Sequence, residues 1–138
     1  MVSEAGKFVV LRKLKKQSTA AGVLGVEVRF NQLVRPMFYG SQHVISNISI
    51  PEGKERFYTI VGYICESDTF AANRKIAEIK EGDLLCFSNA GAYSFTMSSN
   101  YNSRYRPAEV LWYNGKAHLI SKRETFEDLI RNQVEVEM

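Results

Sequence analysis

A small, mainly β fold of mixed-barrel type with one or two short helices follows from three features of the sequence. Apolar runs of strand length recur along the chain, turn signals separate them, and only one late segment has a marked helical start. The aromatic content agrees, since 8 Phe, 7 Tyr and 1 Trp in 138 residues favour pleated, half-buried surfaces.

The elements can be taken in order. Phe8 to Leu14 is apolar and then basic, and reads as a strand. Lys15 to Gly22 is polar and small, and reads as a hairpin loop. From Val23 to Phe30, Val26, Val28 and Phe30 share one face while Glu27 and Arg29 take the other. Pro36 argues against a central strand at that point. Val44 to Ile50 alternates, with Val44, Ile48 and Ile50 on one side, and Pro51-Glu52-Gly53-Lys54 is a turn. Phe57 to Ile64 is aromatic and β-branched, the composition of a strand. Lys80-Glu81-Gly82-Asp83 turns the chain into a short buried strand, Leu84 to Phe87. Ala108 to Tyr113 and Lys116 to Ile120 flank Asn114-Gly115, the strongest short hairpin signal. The last segment, Thr125 to about Glu135, reads as a helix: Thr125 caps it, Asp128 stands three residues on, and Phe126, Leu129, Ile130 and Val134 line one face. A second helix is expected over Ala92 to Ser98, after Gly91.

The length fits one domain with a core of its own. Hydrophobic residues make up 45% and charged residues 24%, the balance of an ordinary soluble protein. No apolar run is long enough to span a membrane and the N-terminus lacks a signal-peptide pattern, so a cytoplasmic location is expected. Cys65 and Cys86 have no CxxC spacing, and His43 and His118 are far apart, so neither a disulfide framework nor a metal site is expected. Net charge is +3. The basic run Arg12, Lys13, Lys15 and Lys16 reads as a solvated strand end or turn rather than a nucleic-acid contact. There is no Walker loop, HExxH or GxSxG. Pattern alone leaves three classes open: an oligonucleotide-binding barrel, a ligand barrel and an appended enzyme domain.

Specific strings narrow the choice. Residues 30–40 read FNQLVRPMFYG and residues 61–67 read VGYICES. GDLL at 82–85 leads to NAGAY at 89–93. MSSNYNSR at 97–104 leads to RPAEV at 106–110, with Arg123-Glu124-Thr125 before the last helix. Collinear over nearly the whole chain, these strings resemble the C-terminal β-domain of the diaminopimelate decarboxylases, within the pyridoxal 5'-phosphate (PLP)-dependent ornithine/diaminopimelate decarboxylase family. Val2 to Gly6 resembles the first strand of that domain.

The resemblance implies that residues 1–138 form this C-terminal domain, without the N-terminal (β/α)8 barrel that carries the family's PLP lysine. Such barrels need roughly 250 residues, so the chain alone is expected to be inactive. The implied reaction turns meso-diaminopimelate into L-lysine and carbon dioxide. Arg35 and Tyr39 match the family's substrate-binding pair, and a guanidinium fork suits a carboxylate. Cys65 and Glu66 match a pair that reaches across a homodimer into the neighbouring site, Cys65 as proton donor and Glu66 as holder of the distal ammonium. Tyr93 matches a tyrosine near the PLP phosphate, at the start of the expected helix. The chain departs from the family in lacking a glycine between Ser67 and Asp68, and in having Tyr63 and Tyr105 where proline is commoner. Glu66, where ornithine- and arginine-type decarboxylases typically place Asp, together with Arg35 and Tyr39 favours a substrate with both a distal amine and a distal carboxylate. Implied partners are a second copy or a barrel-bearing decarboxylase chain; nucleic acid and membrane are not. A non-catalytic module that binds a partner chain is the competing class.

Overall fold

The computed structural model describes residues 10–18, 22–64 and 68–138, the first stretch as paired backbone only. The expected Val2 to Gly6 strand lies outside these residues, as do Cys65 and Glu66. The described chain is mainly β. Its elements are β1 (Val10–Ser18), β2 (Val23–Val26), α1 (Arg35–Tyr39), β3 (Ile45–Asn47), β4 (Glu55–Val61), β5 (Thr69–Ala77), β6 (Leu84–Phe87), β7 (Glu109–Tyr113), β8 (Lys116–Ser121) and α2 (Phe126–Ile130).

Six strands form one sheet in the order β3-β6-β1-β2-β4-β5, and β7 and β8 form a separate hairpin. All pairings are antiparallel except β2 with β4. Strand β1 joins the two halves of the sheet. Its first residues pair with β6 and its last with β2, and the register slips between Leu14 and Lys16.

The sheet is strongly curled. Phe70 of β5 and Phe87 of β6 meet edge to face with ring centroids 5.7 Å apart. Three strands separate β6 from β5 in hydrogen-bonding order, and at about 4.8 Å per strand a flat sheet would hold them about 19 Å apart. The interior is filled by Leu24, Val26, Val28, Leu33, Ile60, Ile79, Leu85 and Phe87, all shut off from solvent. Among the described residues no ladder joins the outer strands β3 and β5, but Asn47 at the end of β3 donates through Nδ2 to the Glu78 carbonyl just past β5 (3.0 Å). No helix of the described residues is long and apolar enough to cross a membrane.

Three expectations are corrected, and one strand is found that no expectation covered. Lys15 to Ser18 is strand, not loop, because the backbone pairs Lys16 with Gly25, Gln17 with Leu24 and Ser18 with Val23. A ladder needs only backbone groups, so polar side chains do not forbid it. Gly22, just before β2, has φ +62°, and a Cβ there would come within 2.7 Å of the Phe57 carbonyl oxygen. Thr69–Ala77 is a strand that alternation did not disclose. Asn73 adopts φ +52° and the register against β4 slips between Tyr58 and Ile60, so a bulge splits the buried positions into Phe70-Ala71 and Ile76-Ala77. Ala92 to Ser98 is not a helix but a run of turns. Tyr93 at φ +66° cannot open a right-handed helix. The late helix begins where expected, with a reciprocal capping box between Thr125 and Asp128, but ends at Ile130.

Candidate functional site

Helix α1 is short and anchored from one side. Leu33 and Val34 before it are buried, and Met37 packs against the core. Pro36 sits in its first turn, where a missing N–H costs nothing. Gly40 ends it in the left-handed conformation (φ +62°). Arg35 and Tyr39, four residues apart, therefore share the helix face turned away from the core.

The segment bearing Tyr93 is brought to this face by a two-bond clasp. Ser99 N donates to the Asn31 carbonyl (3.0 Å) and Asn31 Nδ2 donates to the Ser99 carbonyl (2.9 Å). Asn31 is buried, so its half of the clasp is shielded from water. Within the turns, Met97 N donates to the Tyr93 carbonyl (2.9 Å) and the Ser94 hydroxyl donates to the Ala90 carbonyl. Phe30 packs edge on against Phe38 at 5.1 Å and Tyr101 at 5.8 Å, binding the same two segments together.

The result is a cation between two phenols. The Arg35 guanidinium carbon lies 5.0 Å from the Tyr93 ring centroid and 5.4 Å from that of Tyr39. Tyr39 is 63% and Tyr93 61% exposed, so both rings stand at the surface. A planar cation flanked by two phenolic hydroxyls is an anion-seeking arrangement, suited to a carboxylate or a phosphate ester. The carried-over residues Arg35, Tyr39 and Tyr93, far apart in sequence, thus converge.

Cys65 and Glu66 lie outside the described residues, and the chain on either side of them is described. Gly62 N donates to the Asp68 carbonyl (2.7 Å), and the Asp68 carboxylate accepts from Ile64 N (3.4 Å). That carboxylate fills the space a Cβ on Gly62 would occupy, so glycine is required there for close approach. Beside it the Arg29 guanidinium lies over the Tyr63 ring, 4.4 Å from its centroid. Burial, and after it the like charge of Arg104, pulls the Arg29 guanidinium below its ordinary range. Arg29 directly precedes Phe30-Asn31, so the loop base and the Tyr93 segment hang from one stretch of chain.

Sequence reasoning named the three site side chains but not what holds them: Asn31, Phe30, Gly62 and Asp68. It also missed Glu124, whose carboxylate accepts from Arg106 N (2.7 Å) and Asn100 Nδ2 (2.6 Å) and faces the Arg106 guanidinium at 3.8 Å. All but Asp68 lay inside strings singled out above, and Asp68 directly follows the VGYICES segment. Among the described residues no group of three or more His, Cys, Asp and Glu is placed to hold a metal ion.

Comparison with known proteins bears on the family and the fold. Residues 5–91 match the family model described as pyridoxal-dependent decarboxylase, C-terminal sheet domain. The chain is 51% identical over 112 residues to a diaminopimelate decarboxylase of Methanothermobacter thermautotrophicus, covering 79% of this chain and 26% of that protein. It is 40% identical over 140 residues to that of Zymomonas mobilis, covering 99% of this chain and 32% of the relative. The crystal structure of diaminopimelate decarboxylase from M. jannaschii in co-complex with L-lysine superposes with a TM-score of 0.84 at 31% identity, over 93% of this chain and 30% of that one. The chain spans about a third of the length of these relatives, or less.

Proposed function

The chain belongs to the pyridoxal-dependent decarboxylase family, as a C-terminal sheet domain, and from that premise we propose that it forms the substrate-facing half of a diaminopimelate decarboxylase. The single observation that carries the reading is Arg35 held between Tyr39 and Tyr93.

The roles follow from the chemistry of the groups. Arg35 takes a substrate carboxylate through its fork of N–H donors, and Tyr39 adds a hydroxyl. Tyr93 reaches the cofactor's phosphate. The residues present fit such a group, since a guanidinium and an exposed phenol both favour a phosphate oxygen. PLP, when bound, would supply the electron sink for the bonding pair left on the substrate carbon as carbon dioxide departs. Glu66 holds the distal ammonium of meso-diaminopimelate and Cys65 delivers a proton, both in the site of the second protomer of a homodimer. The anchored loop base, Gly62 to Asp68, supports that reach. The same reading takes the curled sheet as a barrel whose β3–β5 seam is bridged by Asn47, and places the protein in the cytoplasm.

A second reading has its own observation. The β7–β8 hairpin exposes Trp112, Leu119 and Val110, which suits a module that docks on a partner chain without contributing to chemistry.

The test is lysine formation from meso-diaminopimelate with PLP, after mixing this chain with the barrel domain of a relative. Activity in the mixture and in neither part alone supports the half-site. No activity with a folded, PLP-loaded barrel that binds the chain overturns it in favour of the docking module.

A further inference from the structure

The Ser98–Ser99 peptide is gripped at both ends. Its N–H, on Ser99, donates to the Asn31 carbonyl (3.0 Å). Its carbonyl, on Ser98, accepts from Arg106 Nε (3.2 Å). Partners on opposite edges of a planar unit fix the direction of that plane. Ser98 is buried, so its carbonyl depends on the guanidinium more than on water.

The turns bearing Tyr93 hang from this peptide. Ser98 donates to the Phe95 carbonyl through both its N–H and its hydroxyl, and Met97 N donates to the Tyr93 carbonyl (2.9 Å). A tilt of the Ser98–Ser99 plane is therefore passed back through these bonds to Tyr93, whose ring centroid lies 5.0 Å from the Arg35 guanidinium carbon.

Arg106 is in turn held by Glu124. Arg106 N donates to Glu124 Oε2 (2.7 Å), Glu124 N donates to the Arg106 carbonyl (3.3 Å), and Glu124 Oε1 faces Arg106 Nη1 at 3.8 Å. The same Oε2 accepts from Asn100 Nδ2 (2.6 Å), so one carboxylate ties Arg106 to the residue that follows Ser99. The Arg106 and Glu124 side chains are 42% and 22% exposed. An ion pair so long and so wet adds little stability, and its effect lies in where it aims the guanidinium. Both residues stand at the neck of the β7–β8 hairpin, one before Glu109 and the other after Ser121.

We infer that Arg106 and Glu124 are positioning residues for the anion site, acting through the Ser98–Ser99 peptide to hold the Tyr93 ring against the Arg35 guanidinium; the inference rests on the substrate- and cofactor-binding roles proposed above for Arg35 and Tyr93.

Position is read by NMR in the chain itself. The Tyr93 ring current displaces the Arg35 side-chain protons, and a Tyr93→Leu chain gives their place without that ring. Arg106→Met is expected to move them at least about halfway to that place. Glu124→Gln, which keeps an acceptor for Arg106 N but no charge for the guanidinium, is expected to move them the same way and less far. Chemistry is read in the chain mixed with the barrel domain of a relative. Arg106→Met is expected to raise KM for meso-diaminopimelate about ten-fold with kcat little changed, since a guanidinium that has lost one wall binds the carboxylate less well. A merely structural residue would lower the active fraction, and so kcat, at unchanged KM. Arg35 protons that keep their place in a folded Arg106→Met chain overturn the inference, as does a fall in kcat alone. Should Arg106→Met lose its spectral dispersion, unmoved Arg35 protons in Glu124→Gln overturn it instead. If the unsubstituted mixture makes no lysine, the half-site reading fails, and the Arg35 protons decide the positioning by themselves.

Discussion

The guanidinium carbon of Arg35 stands 5.0 Å from the centre of the Tyr93 ring, in a run of turns that the Asn31–Ser99 clasp helps to hold in place. A helix face and a run of turns are thereby fixed around one cation, with Tyr39 as the second wall. The contact is at the surface, where a cation–ring pair is worth about 0.5–1 kcal/mol. Its geometry therefore matters more to recognition than to stability.

Arg35→Lys separates those two effects. The ammonium keeps the charge but loses the planar fork that grips a carboxylate at two points. In the chain joined to a barrel domain, KM for meso-diaminopimelate is expected to rise about ten-fold or more, equivalent to about 1.4 kcal/mol. Urea unfolding of the chain is expected to shift by less than about 1 kcal/mol. A large stability loss with unchanged KM would make Arg35 a structural residue.

Gly62 is sensitive for a different reason. Any side chain there meets the Asp68 carboxylate, which in turn accepts from Ile64 N. Gly62→Ala is expected to destabilise the chain by about 1–3 kcal/mol, the range for overpacking. Because the clash is with one side chain, Gly62→Ala combined with Asp68→Ala costs less than the sum of the two, a coupling that a double-mutant cycle in thermal unfolding measures.

What could be read from the sequence was what a period or a string can encode. The Asn114-Gly115 hairpin, the Leu84–Phe87 strand and the Thr125 cap are local signals, and each stands where expected. Arg35, Tyr39 and Tyr93 were legible as parts of collinear strings. Their meeting was not, because it depends on Asn31 and Ser99, paired across a long stretch of chain. β5 was hidden by its bulge, since one extra residue shifts every following side chain to the other face. The Ala92–Ser98 helix failed at Tyr93, where tertiary contacts hold a backbone angle that propensity does not foresee.

Asn47 is the counterpart of Asn31 at the sheet's outer strands. It is buried, its Nδ2 donates to the Glu78 carbonyl and to Asp83 Oδ2, and its Oδ1 accepts from Ser49 N and Ile50 N. Asn47→Leu strands these groups away from water, at a cost of about 2–4 kcal/mol. Hydrogen exchange is expected to quicken first at Ser49, Ile50 and Lys80, whose amides depend on Asn47 or on Asp83. Uniform loss across the sheet would mean that the seam is not an independent clasp.

Helix α2 holds one acid-sensitive group at its start. The Thr125 side chain, and after it Glu127's own backbone, holds the Glu127 carboxyl below the usual carboxylate range. A depressed folded value means the unfolded chain binds the proton more tightly. The contribution is therefore present above the ordinary carboxylate pKa and lost as the pH falls through the folded value. Amide exchange in α2 is expected to rise in acid before the six-stranded sheet opens, and Thr125→Ala, which removes the cap at about 1 kcal/mol, makes the helix loose at neutral pH too. An α2 that opens only together with the sheet would refute this.

The last prediction concerns the hairpin. Cross-strand partners Val110–Leu119 and Trp112–Ala117 put four apolar side chains on one face, and Trp112 is 71% exposed. A two-stranded hairpin is marginal on its own in water, and an uncovered apolar face of this kind seeks a partner. The chain alone is expected to associate as its concentration rises, by sedimentation, and Leu119→Lys with Trp112→Gln to reduce that association without unfolding the six-stranded sheet, which is built from other residues. The barrel domain of a relative should compete with self-association if it covers the same face. A strictly monomeric chain at high concentration would remove the hairpin as an interface and, with it, the docking reading.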